Sequence, residues 1–304
     1  MTKQFNKKTL SRGIEWADST RNPIGGCRHG CRWTMPDGTT AVCYAEQLAN
    51  GGVAAAGYPH GFEHHYWRGE KGLRDLKAGR EPELIFCDSM SDMFGHWVPR
   101  DQVMAALDAM REAPHHTYQS LTKAPGSLGL HFINALPPNL WVGISSAPDV
   151  MMGNSLSDQQ KAAYTRRALG VLNSVREMSG NITWMSLEPV SWDMAHLFAE
   201  QPLDWVVIGA AMNDRKYYQP DPEHVKKLLD VFDATGTAVF FKGNIKQTIT
   251  DLGLRWREDF PTTYRDGTPI PAVLRRQEMA KQHGWPLNTR LEETAVNGQL
   301  SFFS

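Results

Sequence analysis

The fold class expected of this chain is α/β, a partial (βα)6–7 TIM-like barrel, and three observations predict it. Short apolar runs rich in Val, Ile, Phe and Trp recur along the 304 residues, and most are followed by an amphipathic helical stretch, the alternation of parallel βα units. These runs end repeatedly in polar groups, which a βα barrel gathers on one face. No Gly-x-Gly-x-x-Gly follows the first run, so the fingerprint of an open dinucleotide-binding sheet is missing.

The first strand is expected around Gly13–Trp16, followed by a cysteine-bearing loop and a helix from Cys43 through Glu46 to Ala49. The second, Glu83–Cys87, leads through Asp88 to Asp92 into a helix at Arg100–Ala113, where Val103, Leu107 and Met110 share one face. Thr117–Lys123 is the third strand. Leu140–Ser145 is the fourth, before a helix at Asp158–Arg176. The fifth, Ile182–Pro189, ends at its proline. Trp205–Gly209 is the sixth, with a helix at Pro222–Ala234 that Gly236 caps. The seventh is Ala238–Lys242. Residues 1–245 form the expected barrel. Residues 246–304 lack the repeating pattern and read as a C-terminal extension that packs on the barrel or contacts substrate, with Arg255-Trp256-Arg257 and Arg275-Arg276 making it locally basic.

A hydrophobic fraction of 41% and a net charge of −1 describe a globular chain that does not hold nucleic acid by bulk charge. No stretch approaches the roughly 20 apolar residues of a membrane span, and the first residues lack the apolar centre of a signal peptide. A cytoplasmic protein with no membrane partner is therefore expected. In that compartment clustered cysteines serve metals or redox chemistry more often than disulfides.

Three of the four cysteines, Cys27, Cys31 and Cys43, fall in one short stretch. Thiolates are soft ligands for iron–sulfur clusters and for zinc, and close spacing lets one loop wrap the metal. The motif resembles the radical S-adenosylmethionine superfamily, whose loop after the first barrel strand reads Cys-x3-Cys-x2-Cys. Ile14-Glu15-Trp16, Asn22-Pro23, Gly26-Cys27, His29-Gly30-Cys31 and Cys43-Tyr44-Ala45-Glu46 look like a phage-associated three-cysteine family distantly similar to spore photoproduct lyase. Ser89-Met90-Ser91-Asp92, Leu121-Thr122-Lys123, Val142–Ser145, Ser186–Pro189 and Phe241-Lys242 are similar to that family's strand ends. The departure is an insertion, Thr34–Val42, between the second and third cysteines. Pro36-Asp37-Gly38 reads as a tight turn that lets the insertion leave and return.

The resemblance implies a barrel of radical S-adenosylmethionine type. Cys27, Cys31 and Cys43 would bind three irons of a [4Fe–4S] cluster, and the fourth iron would hold S-adenosyl-L-methionine, whose reductive cleavage releases a 5′-deoxyadenosyl radical. By position, Ser89, Ser91 and Asp92 are assigned to the methionine amino group and Ser145 and Glu188 to the ribose and adenine. Lys123 and Lys242 place positive charge at the barrel mouth, and Tyr44 beside the third cysteine joins the cofactor site. No catalytic residue is singled out. The implied substrate is a nucleobase or nucleotide, as in phage thymine hypermodification or isomerisation in DNA. The reaction would be isomerase- or lyase-like, with a reducing donor such as flavodoxin or ferredoxin, in the host cytoplasm if the chain is phage-encoded. Tyr217-Tyr218 and the C-terminal basic residues are candidate substrate contacts.

A different class stays open from the residues alone. Cys27, Cys31 and Cys43 with either Cys87 or His29 would make a closed zinc site in a nucleic-acid-binding or assembly protein without redox chemistry. Cys87 lies inside an apolar run and reads as core. The pairs His64-His65 and His115-His116 read as surface or core, since adjacent strand residues face opposite ways.

Overall fold

A computed structural model of the chain describes residues 2–3, 5–6, 11–213 and 216–284. Seven parallel strands lie side by side in chain order: β1 (Ser19–Arg21), β2 (Leu84–Cys87), β3 (Thr117–Thr122), β4 (Leu140–Ser145), β5 (Thr183–Leu187), β6 (Trp205–Ile208) and β7 (Ala238–Phe241). They form a parallel half-barrel, so the partial form of the expected barrel is the one adopted and β1 does not meet β7. The helices are α1 (Tyr44–Gly51), α2 (Gly69–Lys77), α3 (Arg100–Arg111), α4 (Leu130–Ile133), α5 (Asp158–Ser179), α6 (Pro222–Thr235), α7 (Lys246–Asp251) and α8 (Pro271–His283).

Six strands and the helices α1, α3, α5 and α6 sit within a few residues of their expected places, because local chemistry fixes their ends. Ser157 and Gln160 form a reciprocal capping box at the start of α5, and Gly180 ends it in the left-handed conformation. Asp221 caps α6, Pro222 opens it and Gly236 closes it.

The first strand is the correction. Residues 14–16 form a turn in which the Ala17 amide bonds the Ile14 carbonyl, and β1 follows at Ser19–Arg21. The apolar signal at Trp16 comes from a ring that plugs the sheet's inner face, edge-on to Trp184 at 5.2 Å. The true strand reads as polar because Arg21 is buried there, its charge met by Glu83 at 2.8 Å. An apolar-pattern search passes over a strand that buries an ion pair.

Alternation along the strands separates two cores. Ile85, Val142, Ile144, Met185, Val206 and Val239 pack outward against α3, α5 and α6. Phe86, Trp141, Trp184, Trp205, Val207 and Phe240 face inward. Gly143 makes room for this inner layer: a Cβ there would lie 2.4 Å from the Trp184 indole.

The described part of the extension closes the bottom of the half-barrel. The amide of Phe241 bonds the Arg257 carbonyl and that of Asp259 bonds the Val239 carbonyl, so this segment runs antiparallel along β7 and covers its free edge. Thr2–Lys3 covers the edge of β1 in the same way. Phe260, Ile270, Ala272 and Val273 then fill the inner core, with Phe260 stacked on Trp205 at 5.4 Å. Its basic residues are spent in this packing: Arg257 pairs with Asp233 and Asp259, and Arg276 with Asp18. Arg275 faces Glu81 at 3.9 Å. Residues 285–304 of the expected extension lie outside the described residues.

Gly143→Ala should cost about 1–3 kcal/mol by overpacking the tryptophan layer. The check is a urea titration, where the midpoint falls and the slope is unchanged.

Candidate functional site

Beyond β1 the chain is threaded under tight control. Ile24–Gly25 pairs antiparallel with Tyr66–Trp67, the Gly26 amide bonds the Met90 carbonyl at 3.0 Å, and the Cys27 amide bonds the Phe62 carbonyl at 2.8 Å. Gly26 has φ +87°, and a Cβ on it would sit 1.8 Å from the His64 carbonyl oxygen, so only glycine passes here. Cys27 is thereby delivered beside the loop that follows β2.

The insertion between Cys31 and Cys43 is a β-hairpin. Strands Arg32–Thr34 and Thr40–Val42 pair with Arg32 opposite Val42, turning at Gly38 with φ +80°. Cys31 and Cys43 flank the same cross-strand pair, so the long gap in sequence becomes adjacency. Cys43 is also the residue from which α1 starts, and Glu46 in its first turn grips Arg32 with both oxygens at 2.8 and 2.9 Å.

All three thiols are free. Burial raises the Cys27 thiol well above its ordinary value, with the Asp92 charge adding and a hydrogen bond from the His29 amide opposing. Burial pushes Cys31 up to about 11, partly offset by the Lys123 charge. Cys31 and Cys43 each add to the rise at Cys27, so the three sulfurs feel one another. Cys87 does not join them: it lies in the outward core, and its thiol is raised by burial and then by Asp88. Neighbouring thiols that raise one another's pKa become thiolates together most readily around a cationic group, the donor chemistry of an iron–sulfur core. Among the described residues no three histidine, cysteine, aspartate or glutamate side chains converge closely enough to hold a single metal ion.

Asp92 anchors this loop. It is 3% exposed, and one oxygen takes hydrogen bonds from His29 Nε2 (2.7 Å), Thr122 Oγ1 (3.0 Å) and the Lys123 amide (2.8 Å). The other accepts the Phe94 amide at 3.1 Å. Asp92 thereby ties the cysteine loop to the end of β3, and its charge reaches Cys27 and Cys31 directly. Asp88 is different. Its Oδ1 accepts the Ile24 amide at 3.1 Å, and the Ser91 hydroxyl beside the carboxyl group opposes part of the effect of burial. Burial raises its pKa to about 8, so at neutral pH Asp88 holds a proton.

Ser89 is half-buried, its hydroxyl 3.2 Å from Asn22 Oδ1, and its carbonyl accepts the Tyr44 hydroxyl at 2.6 Å. On the inner face Ser145 lies opposite Ser186 in register, and Ser186 Oγ donates to Glu188 at 3.2 Å. Glu188 pairs with Lys242 across Gly209, where a Cβ would lie 2.6 Å from the carboxylate. Burial lowers the Lys242 pKa, but Glu188 and Glu15 outweigh it and the net shift is upward. Lys123 has no such partner; its ammonium lies 5.8 Å from the centre of the Trp33 ring. Thus Ser89, Ser91, Tyr44, Lys123, Ser145, Glu188 and Lys242 share the C-terminal end of the half-barrel with the cysteine loop. The histidine pairs stay apart: His65 bonds Gln102 and His116 is buried against Ala78.

The insertion, an excursion and candidate cover in the sequence, gains partners that the sequence does not show. Val150–Met151, in the loop after β4, pairs with Arg32 and with Asn154–Ser155, so the insertion becomes part of a four-stranded sheet. Asp37 at its tip receives Lys216 Nζ at 2.7 Å and the Tyr218 hydroxyl at 2.5 Å from a second hairpin after β6. Only the tight turn was legible locally; partners more than a hundred residues away leave no local signal.

Asp37→Ala should open this clasp and raise hydrogen exchange at the amides of Met35 and Gly38 without lowering the global unfolding midpoint by more than about 1 kcal/mol. Asp88→Asn should gain stability relative to wild type as pH rises from 4 to 8. The wild-type folded state holds a proton that the unfolded chain has released over that window, and the gain should level off above pH 8. Urea midpoints across the pH range check it.

A family model described as "Protein of unknown function (DUF5131)" matches residues 11–283. No curated protein matches the chain. Among solved structures it is similar to a spore photoproduct lyase double mutant with bound AdoMet and dinucleoside spore photoproduct, at 10% identity and a TM-score of 0.43, over 73% of this chain and 63% of that one. It therefore spans less than two thirds of that protein's length. It is also similar to a single mutant of that lyase (10% identity, TM-score 0.46, 76% and 78% covered) and to the lyase complexed with dinucleoside spore photoproduct (10%, 0.44, 78% of each).

Proposed function

The chain belongs to the family described as protein of unknown function (DUF5131), and within it we propose a radical S-adenosylmethionine enzyme that acts on a nucleobase or nucleotide. The observation that carries the reading is the hairpin register. Arg32 opposite Val42 returns Cys43 to Cys31, so three free thiols crowd above the polar end of a parallel half-barrel while Cys87 stays behind the sheet. Cys27, Cys31 and Cys43 fit a [4Fe–4S] cluster with one iron left open. Bound there with S-adenosylmethionine, the cluster supplies one-electron cleavage of the sulfonium and a 5′-deoxyadenosyl radical.

The chain's own residues bind and orient. Ser89 and Ser91 follow β2 beside Gly26 and would hold the methionine amino group, with the protonated Asp88 carboxyl next to Ser91. Ser145, Ser186 and Glu188 line the inner rim for the ribose and adenine, with Lys242 holding Glu188 in place. The four-stranded sheet that carries the insertion would flank a ligand bound at this end of the barrel.

A flat substrate is supported by two tyrosines. Tyr44, 47% exposed, lies close enough to Glu188 to feel its charge, and Tyr217, 54% exposed, stands near Lys242. They flank the mouth as stacking surfaces for a base. The reaction is a rearrangement or cleavage, isomerase- or lyase-like, as in thymine modification, with electrons from an external donor such as flavodoxin or ferredoxin.

Anaerobically reconstituted protein should be brown, absorb near ~400 nm and hold about four irons per chain. With dithionite and S-adenosylmethionine it should release 5′-deoxyadenosine. Alanine at Cys27, Cys31 or Cys43 should abolish iron loading, and Cys87→Ala should keep it. Colourless protein carrying one zinc per chain would sink the reading.

A further inference from the structure

We propose that a cavity beside the cysteine loop is a phosphate-ester subsite, where the phosphate of a nucleotide or oligonucleotide docks while its base enters the half-barrel. The inference rests on the nucleotide reading above. The cavity is an open depression of about 450 Å³ between the turn after β3 and the first half of α5. Lys123, Ser127, Met151, Gln160, Tyr164 and Arg167 line it, and no acidic side chain does.

Its cations stand out by what they lack. Around the mouth, Lys242 is held by Glu188, Lys216 by Asp37 and Arg32 by Glu46, and on α5 itself Lys161 is held by Asp149 and Asp158. Among the described residues, Lys123 and Arg167 make no ion pair. Lys123 rests against Trp33, a contact that positions the ammonium without neutralising it. A concave wall with two uncompensated cations concentrates anions, and a guanidinium fork beside an ammonium matches the oxygens of a phosphate. Gln160 adds an amide donor: its carbonyl oxygen is spent on the Ser157 amide, leaving its NH2 group to a ligand.

The cavity shares a wall with the cysteine site. Lys123 lowers the Cys31 pKa, and its backbone amide is held by Asp92. Tyr164 donates to the Ser145 carbonyl at 3.1 Å and feels the charges of Asp92 and Cys31. The two lysines at the mouth therefore divide the work: Lys242 is occupied in fixing Glu188, and Lys123 is free to face an anion.

Binding of thymidine 5′-monophosphate and of a short single-stranded oligothymidylate to the reconstituted full chain tests this. Arg167→Ala and Lys123→Met should each weaken binding at least fivefold. For the oligonucleotide, the dependence of log K on log salt should flatten by about 0.7 per cation removed. Lys226→Ala, on the exposed side of α6, should change neither. Iron content and thermal midpoint of Arg167→Ala, measured in parallel, should match wild type. A loss confined to the monophosphate identifies a free nucleotide as the source, and a loss confined to the oligonucleotide identifies a phosphodiester; either supports the subsite. Unchanged affinity in both variants, or no binding of either probe by wild type, overturns it. If wild type loads iron and releases 5′-deoxyadenosine but Arg167→Ala binds normally, the subsite alone falls. If wild type loads no iron, the enzyme reading falls while the binding comparison still reports on the cavity.

Discussion

The Asp92 carboxylate is the contact on which the site depends. Buried carboxylates are costly to desolvate and persist only when fully hydrogen-bonded. Asp92 meets that condition by taking donors from three separate segments: His29 of the cysteine loop, Phe94 after β2, and Thr122 with the Lys123 amide at the end of β3. One group thereby fixes the loop to the sheet and sets the direction in which the chain leaves β3. A neutral side chain of similar shape could not satisfy all four donors, and each donor left over would be buried without a partner.

Charge is distributed differently at the two ends of the half-barrel. At the bottom, the arginines of the C-terminal segment are matched to acids at the starts of the strands, and they work with the aromatic layer to close the open side. Arg276 meets Asp18 there, and Phe260 stacks on Trp205. At the top, Glu188 and Lys242 neutralise one another, while burial raises the pKa of Cys27, Cys31 and Asp88. The bottom is built for stability and the top holds groups in protonation states that a ligand can change.

Much of this was legible in the sequence because it is encoded locally. Apolar runs marked β2 to β7, and Gly236 marked the end of α6; the caps Ser157, Gly180 and Asp221 emerge from the folded structure. The cysteine loop and its tight turn were legible as motif and turn chemistry. Two things were not. β1 hides because Arg21 is buried in an ion pair, which reads as surface in any apolar pattern. The clasp of Asp37 on Lys216 and Tyr218, and the pairing of Val150 with Arg32, join segments remote in the chain, and only the folded topology brings them together. Of the basic residues of the extension, Arg257 and Arg276 meet acids of the same chain, contacts that the sequence does not show.

The hairpin between Cys31 and Cys43 also has a consequence for how the protein is made. Cys27, Cys31 and Cys43 are made before every segment that holds the hairpin between them. The strand that pairs with Arg32 comes from residues 150–151, and the groups that hold Asp37 from residues 216 and 218. A nascent chain therefore exposes its thiols long before the scaffold that sets their spacing exists. A cluster of the kind proposed above would meet the thiols in their finished geometry only once residues 150–151, 216 and 218 are in place.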